Sequence, residues 1–184
     1  MSHTTKNIEK VQEEADLLYN KQQVEHSLDK MAAEMTAKLS ACNPVLLCIM
    51  TGGIVPTGML LPRLNFPLQL DYVHATRYAG DTVGREITWL RSPHIDLKDR
   101  IVLVIDDILD KGITLSCIID ECKDLQAAEV YSAVLVDKET PRENTIDKAD
   151  FTGLVVPDRY VFGYGMDYKD YLRNGDGIYA VKGM

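Results

Sequence analysis

The sequence predicts an α/β fold in which helices flank a central, mainly parallel sheet. Two continuous apolar runs, Val45–Met50 and residues 101–105, are typical of strands that are buried on both faces. Apolar side chains recur at helical spacing over 115–125, and another apolar strand pattern follows over 130–136. Strands that alternate with helices form a parallel sheet through right-handed crossovers.

Composition limits the kinds of partner. The chain has 184 residues, and its 20 basic and 28 acidic residues give a net charge of −8. A chain of this length predicts one domain with a substantial core. The acidic balance disfavours nucleic acid, whose phosphate backbone requires Lys and Arg. It permits a small phosphorylated ligand held by backbone amides and a metal ion.

The sequence predicts neither a membrane span nor a secretion signal. No apolar stretch approaches the roughly 18 residues that a membrane helix needs, and residues 1–10 are polar. The four cysteines contain no CxxC pair and no zinc-binding spacing, so we expect reduced thiols and a cytoplasmic protein.

The other elements follow from apolar periodicity and from Gly and Pro. Residues 8–39 predict a helix with a break, which ends before Asn43-Pro44 because a residue that precedes proline avoids helical geometry. The remaining predicted elements are a tight turn at 51–53, a helix over 54–63, a strand over 68–75, an exposed loop over 76–84, a hairpin strand over 86–90, and short strands near 153–156, 160–163 and 178–181.

The stretch after residues 101–105 combines two carboxylates with an anion-binding turn. Ligands of open α/β sheets bind at the carboxyl ends of the strands, where Asp106 and Asp107 lie. Gly112 permits close backbone approach, and the free amides at the start of the next helix, with the Thr114 hydroxyl, suit a phosphate. The carboxylates would repel that phosphate, so they suit sugar hydroxyls or a divalent cation. The pattern therefore predicts a ribose phosphate site.

The alternative for this stretch is a solvated turn in which Asp110 caps the helix. An isolated acidic pair would favour that alternative. The complete order of strand, acidic pair, Asp110, Gly112, Thr114 and helix favours the ligand site.

This segment resembles the phosphoribosyl pyrophosphate (PRPP) motif of the type I phosphoribosyltransferases, and the rest of the chain resembles the hypoxanthine-guanine members of that family. The resemblance covers about residues 45–182 in the same order. It rests also on stretches similar to the family's pyrophosphate loop, flexible lid, purine-reading strand end and base-binding hood, namely 50–53, Arg77-Tyr78, 136–138 with 140–142, and 156–168 with 171–173.

The resemblance implies the type I phosphoribosyltransferase fold, with a small hood and a flexible lid loop beside the central sheet. The predicted organisation is one domain over 1–184, with an N-terminal helical segment at 1–43, a core at 44–150, and the hood and C-terminal part at 151–184. The resemblance also implies a homodimer or homotetramer, with the N-terminal helix and the helix at 54–63 as candidate contacts.

The implied reaction belongs to purine salvage and depends on Mg²⁺. The phosphoribosyl group of PRPP passes to N9 of hypoxanthine or guanine, which gives IMP or GMP and pyrophosphate. Asp110 is the implied general base for the proton of purine N7. Asp106 and Asp107 would hold the ribose hydroxyls, with or without the metal, and Asp167 would hold a second Mg²⁺. The other implied roles are PRPP and 5′-phosphate binding by Asp110, Lys111, Gly112, Ile113 and Thr114, pyrophosphate binding by Thr51, Gly52 and Arg173, purine binding by Lys138, Tyr160, Val161 and Asp167, and lid closure by Arg77 and Tyr78.

Three of these residues have simpler alternatives. Lys138 would donate to the 6-oxo and N7 side of the base and so disfavour adenine, but it also fits a lysine at the surface end of a strand. Tyr160 would stack on the purine, but it also fits a core aromatic. Arg173, beside Asn174-Gly175, also fits an ordinary surface arginine.

The chain departs from the family pattern at two positions. Many members have lysine where this chain has Thr51, and most have threonine where it has Lys111. In the family the pyrophosphate loop acts largely through its backbone, often with a non-proline cis peptide bond, so a cis Met50–Thr51 bond is expected. Lys111 would add a cation beside the 5′-phosphate.

Three other functions remain open from the sequence. The first is a xanthine-preferring phosphoribosyltransferase. The second is a PRPP-responsive regulator with the same fold, although residues 1–44 show neither a helix-turn-helix nor a basic run. The third is a phosphatase or phospho-acceptor domain with Asp106 as nucleophile, which would require an acidic partner pattern that the sequence does not contain.

Overall fold

The computed structural model describes residues 3–77, 87–142 and 145–184. The helices are α1 (His3–Glu14), α2 (Lys21–Leu39), α3 (Ile54–Leu60) and α4 (Ile113–Asp124). The strands are β1 (Asp16–Tyr19), β2 (Val45–Met50), β3 (Gln69–Arg77), β4 (Ile87–Arg91), β5 (Ile101–Leu109), β6 (Glu129–Glu139), β7 (Phe151–Pro157), β8 (Val161–Phe162) and β9 (Ile178–Ala180). Within these ranges, no helix is both long enough and apolar enough to cross a membrane.

Six strands form the central sheet in the order β4-β3-β2-β5-β6-β7. Neighbouring strands are parallel throughout, except that β4 returns antiparallel to β3. This confirms the predicted α/β fold with a mainly parallel sheet, and β4 confirms the predicted hairpin strand. Because β2, β5, β6 and β7 are parallel, the residues that follow them meet at one edge of the sheet.

Side chains alternate between the two faces of each strand, so the central sheet packs against one hydrophobic cluster on each face. Leu103 and Ile105 of β5 pack into the cluster that contains the buried side chains of α2 and α3. Val102 and Val104 pack into the opposite cluster, which contains the buried face of α4. All four side chains are fully buried, as expected for a strand with helices on both faces.

A second, antiparallel sheet of order β1-β9-β8 takes one strand from near the N-terminus. The predicted helix over 8–39 is broken between α1 and α2, as expected, but the break contains a strand that was not predicted. Leu17 and Tyr19 fit helical spacing, but they pair with β9 at the other end of the chain, which leaves no local signal. A capping box marks the restart of the helix, since Asn20 Oδ1 accepts from Gln23 N at 3.0 Å and Gln23 Oε1 accepts from Asn20 N at 2.9 Å.

Two element boundaries differ near the predicted site. The helix expected over 54–63 ends at Leu60 and continues as a short 3₁₀ turn. The strand expected over 101–105 continues to Leu109, so Asp106 and Asp107 lie within β5 and not in the loop after it. Their side chains are therefore fixed by strand geometry.

The small sheet, defined by β1, β8 and β9, differs in extent from the predicted hood. The strand expected near 153–156 is β7, which pairs with β6 in the central sheet. Of the predicted lid, 76–84, the structure describes only the backbone of the last residues of β3, up to Arg77, and Tyr78 lies outside the described residues.

Candidate active site

Asp106 and Asp107 form an acidic pair near the carboxyl end of β5. Asp106 Oδ1 accepts from the Asp107 backbone N at 2.9 Å, and Asp107 Oδ1 accepts from Ile108 N at 2.8 Å. Burial raises the pKa of Asp106 well above its ordinary value, and the charge of Asp107 raises it further. Burial also raises the pKa of Asp107. Burial therefore disfavours the charged form of both carboxylates. Hydroxyl donors or a divalent cation would stabilise that charged form, so the pair suits such ligands.

The turn after β5 has the backbone geometry of an anion site. Gly112 is the N-cap of α4 and has φ of +74°, a left-handed conformation that favours glycine. The first amides of a 12-residue helix therefore face the turn without a capping side chain. Residues 106–115 line a cavity of about 230 Å³ at this point. Asp110 does not cap α4, so the helix cap expected in the solvated-turn alternative is absent, and phosphate binding at this turn stays a prediction.

Two glycines allow the loop after β2 to approach the acidic pair. A Cβ atom at Gly52 would overlap the carboxylate of Asp107, and one at Gly165 would overlap the carbonyl oxygen of Gly52. Gly165 also has φ of +109°. The Met50–Thr51 peptide bond is cis, as expected.

Lys138, near the end of β6, lies between two carboxylates. Its Nζ is 3.1 Å from Asp158 Oδ1 and 3.6 Å from Asp110 Oδ1, and its side chain is only 14% exposed. Asp110 Oδ1 is buried and has no hydrogen-bond partner among the described residues. The carboxylate of Asp110 is thus available for a proton from a ligand.

Arg142 fixes the backbone on which Asp110 and Lys138 stand. Its guanidinium donates to the carbonyl oxygens of Leu109, Asp110 and Lys138 at 2.6–2.7 Å. It also pairs with the carboxylate of Asp137 at 2.5 Å. The ends of β5 and β6 are therefore held together by one nearly buried side chain.

Asp167 and Arg173 form an ion pair across the mouth of the site. Arg173 Nη2 is 2.7 Å from Asp167 Oδ1, and Nη1 donates to the Gly165 carbonyl oxygen at 2.6 Å. Asp167 Oδ2 accepts from the Asp170 backbone N at 2.8 Å. Both oxygens of Asp167 are thus engaged, and its role as a metal ligand stays a prediction.

The main cavity brings seven of the predicted residues together, namely Asp107, Asp110, Lys138, Tyr160, Val161, Asp167 and Arg173. Its volume is about 480 Å³, and it contacts the ends of β5 and β6 on one side and the segment around β8 on the other. Its lining consists of Asp107, Ile108, Asp110, Lys138, Tyr160, Val161, Met166, Asp167 and Arg173. Tyr160 is 42% exposed, so it is not a core aromatic.

Sequence reasoning assigned no role to Asp158, Thr140 or Arg142. Thr140 and Arg142 follow Lys138 in a segment that resembles the family, and this was the available signal. Their contacts depend on the register of β5, β6 and β7, which the sequence does not show. Thr51 is exposed at the loop after β2, whereas Arg77 and Tyr78 have no described side-chain position.

Comparison with known proteins is consistent with this geometry. The model of the phosphoribosyl transferase domain family matches residues 14–170. The chain is 30% identical over 158 residues to the hypoxanthine-guanine-xanthine phosphoribosyltransferase of Tritrichomonas foetus, with 86% of each chain covered. It is 31% identical over 167 residues to a hypoxanthine-guanine phosphoribosyltransferase of Streptococcus pneumoniae, which covers 90% of this chain and 92% of the relative. A solved hypoxanthine phosphoribosyltransferase from Staphylococcus aureus matches with a TM-score of 0.85 and 26% identity over 91% of both chains.

Proposed function

Because the chain belongs to the phosphoribosyl transferase domain family, we propose that it transfers the phosphoribosyl group of PRPP to N9 of hypoxanthine or guanine. The products are IMP or GMP and pyrophosphate, and the role is purine salvage. The observation that carries this proposal is the shared cavity, which Asp107 of the acidic pair and Asp110 line together with Lys138 and Tyr160. The first group suits a ribose phosphate and the second suits a 6-oxopurine.

Ribose phosphate binding is assigned to the end of β5 and the start of α4. The free amides of Ile113 and Thr114, with the Thr114 hydroxyl, hold the 5′-phosphate, and Gly112 allows its close approach. Lys111 adds a cation in the same turn. The carboxylates of Asp106 and Asp107 accept hydrogen bonds from the ribose hydroxyls.

Purine binding is assigned to the opposite wall of the cavity. Tyr160 has an exposed ring, which packs edge-on against Tyr168 at 5.4 Å between centroids and can stack on a base. The backbone of Val161 reads the base edge. The Lys138 ammonium donates to the 6-oxo group on the N7 side of the base and disfavours adenine, because an ammonium has no acceptor for a 6-amino group.

Asp110 acts as the general base in this proposal. The Asp110 side chain is 38% exposed and lines the cavity that Lys138 also lines. As N9 attacks C1′ of the ribose, the purine gains positive character, and a carboxylate accepts the N7 proton. A general base of this kind contributes about 10²- to 10⁴-fold to rate.

The acidic pair fits a magnesium ion. Mg²⁺ is held in many enzymes by one or two carboxylates together with substrate oxygens, and Asp106 and Asp107 offer such a pair with both pKa values raised by burial. The described residues contain no cluster of three or more His, Cys, Asp or Glu side chains that could hold a metal, so water and substrate oxygens would complete the coordination. When bound, the ion neutralises the leaving pyrophosphate.

Pyrophosphate release is assigned to the loop after β2 and to the mouth of the cavity. The backbone of Thr51 and Gly52 and the guanidinium of Arg173 would hold the leaving group, and Asp167 would hold a second Mg²⁺. The lid expected at 76–84, with Arg77 and Tyr78, would exclude water from the reacting carbon, and residues 78–84 of it lie outside the described residues. The chain acts as one catalytic domain with the small sheet as its hood.

A second copy of this chain is the proposed partner in a homodimer or homotetramer. α3 and β3 expose Ile54, Leu70 and Tyr72 along an apolar groove of about 380 Å³. The apolar face of α2 is buried in the core, so α3 is the stronger candidate for the contact. Light scattering on the purified chain measures the assembly directly.

The cytoplasm is the proposed compartment. Cys42, Cys48 and Cys122 form no disulfide among the described residues. Burial raises the pKa of the Cys48 thiol, and burial raises the pKa of Cys122 to about 12, which suits structural thiols in a reducing environment.

One assay tests the proposed function. The purified chain is incubated with PRPP and Mg²⁺ and with hypoxanthine, guanine, xanthine or adenine in turn, and nucleotide is quantified by chromatography. We expect IMP and GMP, little or no AMP, and loss of turnover in excess chelator. Xanthosine monophosphate as the main product would favour the xanthine-preferring alternative, and no nucleotide from any base would refute the transferase.

A further inference from the structure

The Lys138 ammonium is shared unequally between two carboxylates. Its Nζ is 3.1 Å from Asp158 Oδ1 but 3.6 Å from Asp110 Oδ1. The Lys138 side chain is mostly buried, so it has few other partners and its position depends on this balance. The closer carboxylate belongs to a residue that the proposed reaction does not otherwise use.

Asp158 is itself oriented by a chain of hydrogen bonds. Lys111 Nζ donates to Thr140 Oγ1 at 3.1 Å, and Thr140 Oγ1 donates to Asp158 Oδ2 at 3.2 Å. The direction is fixed, because an ammonium only donates and a carboxylate only accepts. The hydrogen bond from Lys138 lowers the pKa of Asp158, and Thr140 and Lys111 act in the same direction against the effect of burial. One oxygen of Asp158 therefore remains for Lys138.

These hydrogen bonds, from Lys111 through Thr140 to Asp158, join the ends of three neighbouring strands. Lys111 lies in the turn after β5, Thr140 directly after β6, and Asp158 directly after β7. Thr140 is only 8% exposed, so its hydroxyl has a stable position. The geometry is thus set by the sheet and not by mobile side chains alone.

We propose that Asp158, oriented by Thr140, is a positioning residue that holds the Lys138 ammonium away from Asp110 and beside the purine. This deepens the proposed function and rests on it. Without Asp158, the nearest carboxylate to Lys138 is Asp110. The ammonium would then pair with the proposed base, and the purine would lose its donor.

Calorimetric binding of two ligands separates this role from a general structural one. IMP contacts both the phosphate and the purine subsites, whereas ribose 5-phosphate contacts only the former. For Asp158→Asn, we expect IMP affinity in Mg²⁺ to fall about tenfold and ribose 5-phosphate affinity to stay within twofold. Asp158→Glu keeps the charge and should bind IMP within threefold of the wild-type chain.

Thr140→Val and a double variant test the hydrogen-bond path through Thr140, and a third variant serves as the control. Thr140→Val should weaken IMP binding by about threefold. The double variant, which carries both Thr140→Val and Asp158→Asn, should bind IMP no more weakly than Asp158→Asn alone, since Thr140 acts through Asp158. Asp120→Asn is the matched control, because Asp120 forms an exposed ion pair with Lys123 on α4 and should leave both affinities unchanged.

The outcomes are distinct. Equal losses for both ligands in Asp158→Asn, or unchanged IMP affinity with a wild-type melting curve, would overturn the positioning role. A wild-type chain that binds IMP but forms none from PRPP and hypoxanthine would refute the proposed transferase and leave this inference standing. A wild-type chain that does not bind IMP would overturn this inference.

Discussion

Replacement of Asp110 by Asn isolates the proposed proton transfer. Asn has nearly the shape of Asp, but its amide does not accept a proton at neutral pH. Asp110 Oδ1 makes no hydrogen bond with the described residues, and its ion-pair distance to Lys138 is 3.6 Å, so the substitution breaks no short contact in the site. The loss should therefore fall on the chemical step.

The magnitude follows from general base catalysis. Such a group contributes about 10²- to 10⁴-fold, which corresponds to roughly 3–5 kcal/mol of activation free energy. We expect the single-turnover rate of IMP formation to fall within this range for Asp110→Asn. The affinity for PRPP should stay within about threefold, because Asp106, Asp107 and the helix amides remain.

Single-turnover kinetics are required for this measurement, because slow product release could hide a change in the chemical step. Asp120→Asn serves as the matched control, since it makes the same change on α4 at an exposed ion pair. A single-turnover rate for Asp110→Asn equal to that of the control would refute the general-base role. A large loss of PRPP affinity with an unchanged chemical rate would reassign Asp110 to binding.

Three other predictions follow from the packing and the charges. Gly52→Ala should lower kcat/KM for PRPP by about 10- to 100-fold, because the added Cβ atom would overlap the Asp107 carboxylate. Gly58→Ala is its control and should keep kcat/KM near the wild-type value, because a Cβ atom there meets nothing within 4 Å. Arg142→Met should lower the free energy of unfolding in urea by about 3 kcal/mol, because it leaves the partly buried Asp137 carboxylate and three carbonyl oxygens without this partner; a loss below 1 kcal/mol would contradict this. At Asp71, burial would raise the pKa, but three backbone amides and an arginine lower it by more, so its stabilisation of about 2 kcal/mol is complete above its unfolded pKa and is lost as pH falls through the lower folded pKa. Asp71→Asn should therefore destabilise the chain at pH 7 but much less at pH 2, and an equal difference at both pH values would be inconsistent with this assignment.

The ribose phosphate segment could be predicted from sequence because its signals are local. The strand, the acidic pair, Gly112 and the start of α4 follow one another within a few residues, and strand and helix geometry then determine where their backbone groups point. In the structure Asp106 and Asp107 lie near the end of β5 and Gly112 lies at the start of α4, and ribose phosphate binding by this segment stays a prediction. The boundary of β5 was wrong by four residues, since Asp106 and Asp107 are compatible with both a strand end and a loop.

The missed features depend on contacts between distant residues. β1 is a four-residue strand with helical apolar spacing, and its partner β9 lies at the other end of the chain. The hydrogen bonds from Lys111 through Thr140 to Asp158 require the parallel register of three strands. Local propensity contains no information on such register, so these residues could be located only in the folded chain.

The paired cations of the site do not by themselves explain how a chain of net charge −8 would bind an anionic substrate. Lys138 and Arg173 are already paired with Asp158 and Asp167, at 3.1 and 2.7 Å. A phosphorylated ligand would have to replace these carboxylates, so the two side chains alone would add little to its affinity. The amides at the start of α4 have no capping side chain, and a divalent cation shared between the acidic pair and the substrate would offset part of the charge of PRPP. In the proposed reaction, an acidic composition and the expected requirement for Mg²⁺ are then two consequences of the same arrangement.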